Sequence, residues 1–131
     1  GTDLRSTDLG GAWLTAADLT GALLGAATLA GASLTRTCMR DTDLTGTFAG
    51  GADLRGAILN GATIRAANLS GAILRGTSLI DADLSLADLV GADLTGAQMD
   101  GVSLDGIRHD ETTTWPAGFQ PPSSGNLDDH D

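Results

Sequence analysis

Few side chains in this 131-residue chain could carry out catalysis. Nucleophilic catalysis needs Ser or Cys beside a histidine that can take its proton, and the only histidines are His109 and His130. His130 stands in an acidic C-terminal tail, and His109 takes a place where a regularly spaced leucine would otherwise stand. The single cysteine, Cys38, is expected to be an ordinary surface thiol. We predict that the protein is not an enzyme and has no catalytic residue.

The many aspartates raise the question of a metal site, because carboxylates bind Ca²⁺. Each one, such as Asp8 or Asp18, stands singly in a five-residue spacing, without the Gly-rich Asp loops that close around an ion. The glycines follow the same spacing and do not form a phosphate-binding loop. The sequence predicts no metal site and no cofactor.

Composition and charge narrow the possible ligands. The net charge is −10 and the pI is near 4.2, which argues against nucleic acid or an anionic membrane as a direct ligand, since both require Lys and Arg. One cysteine fits a reducing compartment, and no apolar run approaches the roughly 20 residues of a membrane span. We expect a cytoplasmic protein.

Because aromatic residues make up only 3% of the chain and hydrophobic residues 41%, its core must consist of small and medium aliphatic side chains.

A five-residue repeat supplies that core. From position 4 to position 104, leucine stands at 17 of 21 positions spaced by five. Two residues earlier, the same count gives Ala at 14 positions, Thr at six and Val once; two residues later it gives Gly at 13. Helices repeat every ~3.6 residues and strands every ~2, so neither explains this pattern. The predicted core residues are Leu4, Leu9, Leu14, Leu19, Leu24, Leu29, Leu34, Met39, Leu44, Leu54, Leu59, Ile64, Leu69, Leu74, Leu79, Leu84, Leu89, Leu94, Met99 and Leu104.

The sizes of the repeated residues predict how each unit is arranged. Residues i and i+2 of an extended chain point to the same side, so each unit turns one large and one small side chain inward and the residue between them outward. Glycine two positions later marks a corner, where a positive φ is easily adopted. A single unit cannot bury its leucine, and the units must therefore stack as a solenoid.

Segments such as Gly51-Ala52-Asp53-Leu54-Arg55 and Gly91-Ala92-Asp93-Leu94-Thr95 match the A(D/N)LXX signature, and over residues 2 to 106 the chain resembles the pentapeptide-repeat family. The resemblance implies an all-β fold, a right-handed quadrilateral parallel β-helix with four units per coil and about five coils. A rod of that size is ~25 Å long at a strand spacing of ~4.8 Å. We assign residues 1–106 to this β-helix.

After Gly106 the repeat stops. Residues 107–119 are similar to the T-x-W-P-x-G-F segment that follows the repeats in this family, and we predict that they form a C-terminal cap. In it, Ile107, Trp115 and Phe119 would cover the last coil, since an uncovered end would offer unpaired backbone groups to other chains. Residues 120–131 have the composition of a disordered acidic tail.

Two groups of outward residues are candidate contact surfaces. Asp8, Asn68 and Asp88 fall on one face without arginine, beside a corner that is glycine in every coil, while Ile58, Ile73 and Ile80 form an apolar group. The simpler interpretation of the first group is a solvated face of a rod. For the second group it is a docking place for the protein's own C-terminal segment.

Phe48 interrupts the repeat, because it precedes Ala49 at a place where leucine is expected. An alanine in that slot would leave a hole that typically costs about 3–5 kcal/mol. We expect a one-residue slip that turns Phe48 inward, with the extra residue absorbed at Gly50-Gly51. The alternative is an exposed ring on a flat face.

The favoured function is a non-catalytic interaction or scaffold module whose partner is an unidentified protein. We expect the chain itself to be a monomer or an end-to-end dimer. The alternative comes from the family resemblance: some members imitate DNA, bind DNA gyrase and other type II topoisomerases, and protect them from quinolones or toxins. Residues 1–107 contain 12 Asp and six Arg, a net charge of −6, whereas DNA of equal length carries about 15 negative charges. This shortfall and the leucine core argue against mimicry. Outward Thr residues are too scattered for ice binding.

Overall fold

The computed structural model describes residues 1–123. These residues contain no helix, and their extended segments are so short that each forms a single isolated parallel bridge. The bridges join residues 20 apart, as in Asp3 to Leu23 and Leu23 to Asp43. Four five-residue units therefore complete one coil. The predicted fold is confirmed: the chain is a right-handed quadrilateral parallel β-helix.

The bridges align the outward residues in four columns, which we call faces 1 to 4. Their members are Asp3, Leu23, Asp43, Thr63, Asp83 and Ser103 (face 1); Asp8, Thr28, Phe48, Asn68, Asp88 and Arg108 (face 2); Trp13, Ser33, Asp53, Ile73, Asp93 and Thr114 (face 3); Asp18, Cys38, Ile58, Ser78 and Gln98 (face 4).

Every corner between two faces has the same backbone geometry. At a typical corner the amide N of Ala12 donates to the carbonyl O of Leu9 at 3.0 Å, and Gly11 has a φ of 68°. A hydrogen bond from residue i+3 to residue i with a positive φ at i+2 is the pattern of a type II turn. All 21 corner residues from position 6 to position 106 have φ between 56° and 74°, and eight of them are not glycine.

The core lies on the axis of the rod. From the second coil to the fifth, the leucine column and the alanine column are buried, with Leu24, Leu74 and Leu94 at 0% exposure. At three of the positions where Thr replaces Ala, the hydroxyl donates to a carbonyl of its own corner: Thr37 Oγ1 to Leu34 O, Thr42 Oγ1 to Met39 O and Thr77 Oγ1 to Leu74 O, each at 2.9 Å. Of the predicted core residues, those nearest the ends are only partly buried: Leu4, Leu9, Leu14, Leu19 and Leu104.

The expected slip at Phe48 is wrong. Phe48 forms the regular bridges to Thr28 and Asn68, its side chain is 54% exposed, and Ala49 occupies the inward slot at 3% exposure. Turning Phe48 inward would break the hydrogen bonds of Phe48 N to Ala27 O (2.9 Å) and Ala49 N to Asn68 O (2.8 Å). The ladder keeps its register, and an apolar cavity of about 20 Å³ beside Ala49 remains in the core.

Bridging continues beyond Gly106. Asp88 bridges Arg108 at the usual spacing, whereas Asp93 bridges Thr114, 21 residues on, so the chain takes up one additional residue between these two bridges. Ile107 occupies an inward slot at 0% exposure. Trp115 and Phe119 pack against the core and are partly buried, with their rings stacked at a centroid distance of 5.3 Å.

Candidate interaction surface

Face 2 holds the first group of predicted surface residues together with a ring that we expected to be internal. Asp8, Asn68 and Asp88 stand in one column, as predicted from the spacing of 20, and Phe48 stands in the middle of the same column. The sequence favoured an inward ring, with an exposed ring as the alternative, and the alternative is the one that the structure shows. We call this surface, face 2 with Phe48 at its centre, the Phe48 face.

One border of the Phe48 face is flat. The corner residues there are glycine in all five coils, at positions 11, 31, 51, 71 and 91, and we call this border the glycine corner. No heavy atom lies within 4 Å of a Cβ built at Gly11, Gly31 or Gly51. The ring of Phe48 therefore stands beside a surface that has no side chain at these corner positions.

The expectation that this face has no arginine holds only up to residue 107. The bridge from Asp88 to Arg108 adds an arginine at one end, where Arg108 Nη1 lies 3.4 Å from Asp88 Oδ2. The extra residue that the chain takes up comes after this bridge, so Arg108 continues the column in register. The negative charge of Asp88 is thus partly compensated.

The outward Asp and Asn side chains have a structural role that the sequence did not reveal. Asp8 Oδ1 accepts a hydrogen bond from Gly10 N at 2.9 Å, Asp88 Oδ1 from Val90 N at 3.0 Å, and Asn68 Oδ1 from Ser70 N at 2.9 Å. Each of these donors is the first corner residue after the side chain, an arrangement that short polar side chains favour in turns. These oxygens therefore cap corners, and one of their lone pairs is directed at the protein's own backbone.

Several of these corner bonds stabilise the ionised carboxylate. Hydrogen bonds from the side chain and the backbone of Arg5 lower the pKa of Asp3 to about 2. The Thr45 hydroxyl and amide lower the pKa of Asp43, and the Arg55 side chain lowers that of Asp53. Hydrogen bonds to the charged form are the common cause.

Ion pairs reduce the acidic character of the surface further. Five of the seven arginines lie within 4 Å of a carboxylate, in the pairs Arg5–Asp3, Arg55–Asp53, Arg65–Asp83, Arg75–Asp93 and Arg108–Asp88. The pairs recur on faces 1, 2 and 3, so no face of the rod is a plain column of negative charge.

The three isoleucines of the second predicted group lie on two neighbouring faces in adjacent coils. Ile58 lies on face 4 and Ile73 on face 3, and the corner at Arg55 and Gly56 lies between them. Ile80 is at the opposite border of face 4. All three side chains are half-buried. The large apolar residues that are most exposed are Trp13 at 90%, Leu86 at 56% and Phe48 at 54%.

The residues considered for chemistry have ordinary surroundings. His109 packs edge-on against Trp115, and its Nε2 lies 2.6 Å from the Pro122 carbonyl O; Cys38 Sγ lies 3.2 Å from Thr20 Oγ1. Within residues 1–123, no three His, Cys, Asp or Glu side chains come together as a possible metal site. His130 and the rest of residues 124–131 lie outside the described residues. In the described part of the chain no helix is long and apolar enough to cross a membrane.

The chain is similar to pentapeptide repeat proteins in both sequence and structure. The model of the family "Pentapeptide repeats" matches eight copies over residues 1–21, 7–46, 37–76 and 67–106. A pentapeptide repeat protein from the cyanobacterium Cyanothece 51142 superposes with a TM-score of 0.71 at 33% identity, covering 71% of this chain and 63% of that one. A second, from Nostoc Pcc 7120, gives a TM-score of 0.50 at 30% identity over 90% of this chain and 77% of its own.

The chain thus spans slightly less than two thirds of the Cyanothece protein. QnrB1, a plasmid-mediated fluoroquinolone resistance protein, is more distant, at 19% identity and a TM-score of 0.35. Among curated proteins no match is found.

Proposed function

Since the chain belongs to the pentapeptide-repeat family, we propose that it is a non-catalytic module that binds a protein partner through the Phe48 face. The observation that carries this proposal is the exposed ring of Phe48, 54% accessible on a face bordered by glycine. Rings that insert into a partner's pocket supply much of the binding energy in protein interfaces, and a flat surround lets the partner approach closely.

The sequence at this unit gives up stability, which supports a role in binding. Ala49 is one of the residues that line the core cavity and stands where the repeat elsewhere places a larger residue, and Phe48 stands where Asp or another polar residue is common. Neither choice improves packing or the corner. Local choices that oppose the fold without a compensating gain are most often found at functional sites.

The remaining features of the face also suit a protein partner. Asp8, Thr28 and Asn68 stand in the same column as the ring and add polar groups above and below it. Protein interfaces usually place such a polar rim around an apolar centre. Because Asp88 is paired with Arg108, the rim carries both signs of charge.

Site-specific cross-linking tests this proposal. p-Benzoylphenylalanine placed at position 48 should give one discrete cross-linked product in extract of the native cell. The same group at position 63, an outward position on face 1, is the control and should give none. Unlabelled parent protein should compete for the product, and the Phe48→Ser variant should not. Equal labelling at both positions, or equal competition by Phe48→Ser, would rule the proposal out.

The alternative, DNA mimicry toward a topoisomerase, has less support from the surface. Its carboxylates would have to meet a basic surface, yet many of them cap their own corners and five are ion-paired. We expect no inhibition of gyrase supercoiling at micromolar protein. Inhibition at sub-micromolar protein that weakens with added salt, as electrostatic binding does, would favour mimicry instead.

A further inference from the structure

A second corner of the rod has the opposite character to the glycine corner. It lies between faces 3 and 4 at positions 15–16, 35–36, 55–56, 75–76 and 95–96, and we call it the arginine corner. Three of the seven arginines stand there in consecutive coils, namely Arg36, Arg55 and Arg75. An open cleft of about 390 Å³ between the second and third coils is lined by Thr35, Arg36, Arg55 and Gly56.

Arg36 differs from the other arginines because, within residues 1–123, its guanidinium contacts neither a carboxylate nor another hydrogen-bond acceptor. Five arginines pair with a carboxylate, and Arg40 Nη1 lies 3.3 Å from the Asn60 amide oxygen when that amide is oriented to suit both its partners. Among residues 1–123, Arg36 makes neither an ion pair nor a side-chain hydrogen bond, and it is exposed. A guanidinium of this kind keeps all five of its donors available.

Gly56 allows Arg36 to lie along the cleft. A Cβ built at Gly56 would stand 3.2 Å from Arg36 Cγ, a tighter approach than side chains normally make. The missing side chain at position 56 thus leaves room for the stem of Arg36 to cross from the second coil toward the third. Arg36 and Arg55 both line this cleft.

Arg55 is held in place from its other side. Its Nε donates to Asp53 Oδ1 at 2.9 Å and its Nη2 to Asp53 Oδ2 at 2.7 Å. This two-point contact orients the planar guanidinium and leaves the Nη1 donors free of Asp53. The cleft therefore combines an oriented guanidinium with an unpaired one.

We propose that this cleft binds a phosphate group, either as free inorganic phosphate or as the phosphate of a small phosphorylated ligand. The unpaired guanidinium of Arg36 and the free Nη1 donors of Arg55 can together contact several oxygens of one phosphate, and phosphate offers more such oxygens than a carboxylate. The −10 charge of the whole chain opposes this binding only weakly at physiological salt, where charges are screened beyond about 8 Å. Asp53, which contacts Arg55, is already compensated by that arginine, so Arg36 supplies the uncompensated positive charge of the cleft.

Arginine side-chain NMR tests the site directly. In ¹H–¹⁵N spectra of the Nε–Hε groups, inorganic phosphate should shift Arg36 and Arg55 together, with one saturating curve in the millimolar range. The matched control is Arg5, which makes the same two-point pair with Asp3 but faces Gly25 and Ala26, not an arginine, at the corner of the next coil, and its signal should not follow that curve. Sodium chloride at equal ionic strength should cause no saturating shift of the Arg36 or Arg55 signal.

Variants and ligands then separate the possible outcomes. Arg36→Gln should weaken phosphate binding by about tenfold or more, because it removes the unpaired cation. Arg5→Gln should leave phosphate binding unchanged. Both variants should keep the parent's thermal midpoint within a few degrees. Acetate should bind more weakly than phosphate. A tighter curve for phosphoserine than for inorganic phosphate assigns the site to a phosphorylated ligand, and the reverse assigns it to the free ion. Shifts that do not saturate, that match those in chloride, or that persist in Arg36→Gln would refute the proposal.

Discussion

The glycine corner and the arginine corner are built on the same backbone and carry opposite chemistry. Gly51 has a φ of 66° and Arg36 a φ of 56°, and both corners close with the same hydrogen bond, from Ala52 N to Ala49 O and from Thr37 N to Leu34 O. One corner leaves a flat border beside an exposed ring, whereas the other holds three guanidiniums. The inward residues and the corner geometry therefore form the rod, whereas the outer positions are free to differ in function.

The largest effect should be the same at both regions, because both depend on one core. Leu69→Asp, beneath the Phe48 face, and Leu74→Asp, beside the arginine corner, should each unfold the rod, since each buries a charge without a partner. The exposures of these leucines are 4% and 0%. Urea denaturation followed by circular dichroism checks the loss, which should exceed about 3 kcal/mol.

The matched control for these changes is Asn68→Asp. Its carboxylate can accept the Ser70 amide that Asn68 Oδ1 now binds at 2.9 Å, so stability should change by less than about 0.5 kcal/mol. A comparable loss from Asn68→Asp and Leu69→Asp would mean that inward and outward positions are assigned wrongly.

The next effect separates the two regions, because Ala49, the one alanine in the leucine column, lies beneath the Phe48 face. Ala49→Leu should fill the cavity of about 20 Å³ and stabilise the protein by about 1–2 kcal/mol, less than a full Leu-to-Ala difference because the surroundings have partly closed. The rise should appear as a higher urea midpoint with an unchanged slope. Cross-linking from position 48 should persist, since the ring stays outside; a fall in stability would show that the cavity has no room for Leu.

The sequence predicted the features that depend on a single repeat unit, but not those that depend on contacts between coils. The leucine and alanine columns, the corners and the alignment of Asp8, Asn68 and Asp88 follow from spacing and size. Phe48 was misjudged because the cost of a hole at Ala49 was weighed without the ladder bonds to Ala27 and Asn68. A slip would have broken that ladder on both sides.

Other features had no sequence signal. That Asp8 Oδ1 meets the amide of Gly10 depends on the side-chain rotamer, and the outward position alone does not fix it. The cleft of Arg36 depends on the absence of a side chain at Gly56, 20 residues away. Such a relation between coils appears only when both coils are in place.

A smaller effect concerns the corner backbone itself. Gly51→Ala should destabilise the protein by about 1 kcal/mol, because a Cβ is disfavoured at this positive φ even though the space around it is open. Arg36→Gly should stabilise it by up to about 1 kcal/mol for the converse reason. Urea midpoints of the two variants measure both changes.

The neighbouring glycine provides the control for that pair. Gly50 does not have a positive φ, and a Cβ there would meet Ser70 at an ordinary 3.6 Å. Gly50→Ala should therefore be neutral or slightly stabilising, within about 0.5 kcal/mol. If Gly50→Ala and Gly51→Ala cost the same, the corner geometry does not explain the glycine.

The smallest effect is a pH dependence that distinguishes Asp53, beside the arginine corner, from Asn68 on the Phe48 face. The Arg55 side chain lowers the pKa of Asp53, so this carboxylate contributes stability above its unfolded pKa of about 4 and loses it as the pH falls through the folded value. Asp53→Asn gives this position the amide of Asn68, which accepts the corner hydrogen bond without titrating. The parent should be slightly more stable than the variant at pH 6, because exposed ion pairs contribute little, and the difference in thermal midpoint should close as the pH falls below about 4. A difference that stays constant over this range would show that the carboxylate stabilises the corner by its shape and not by its charge.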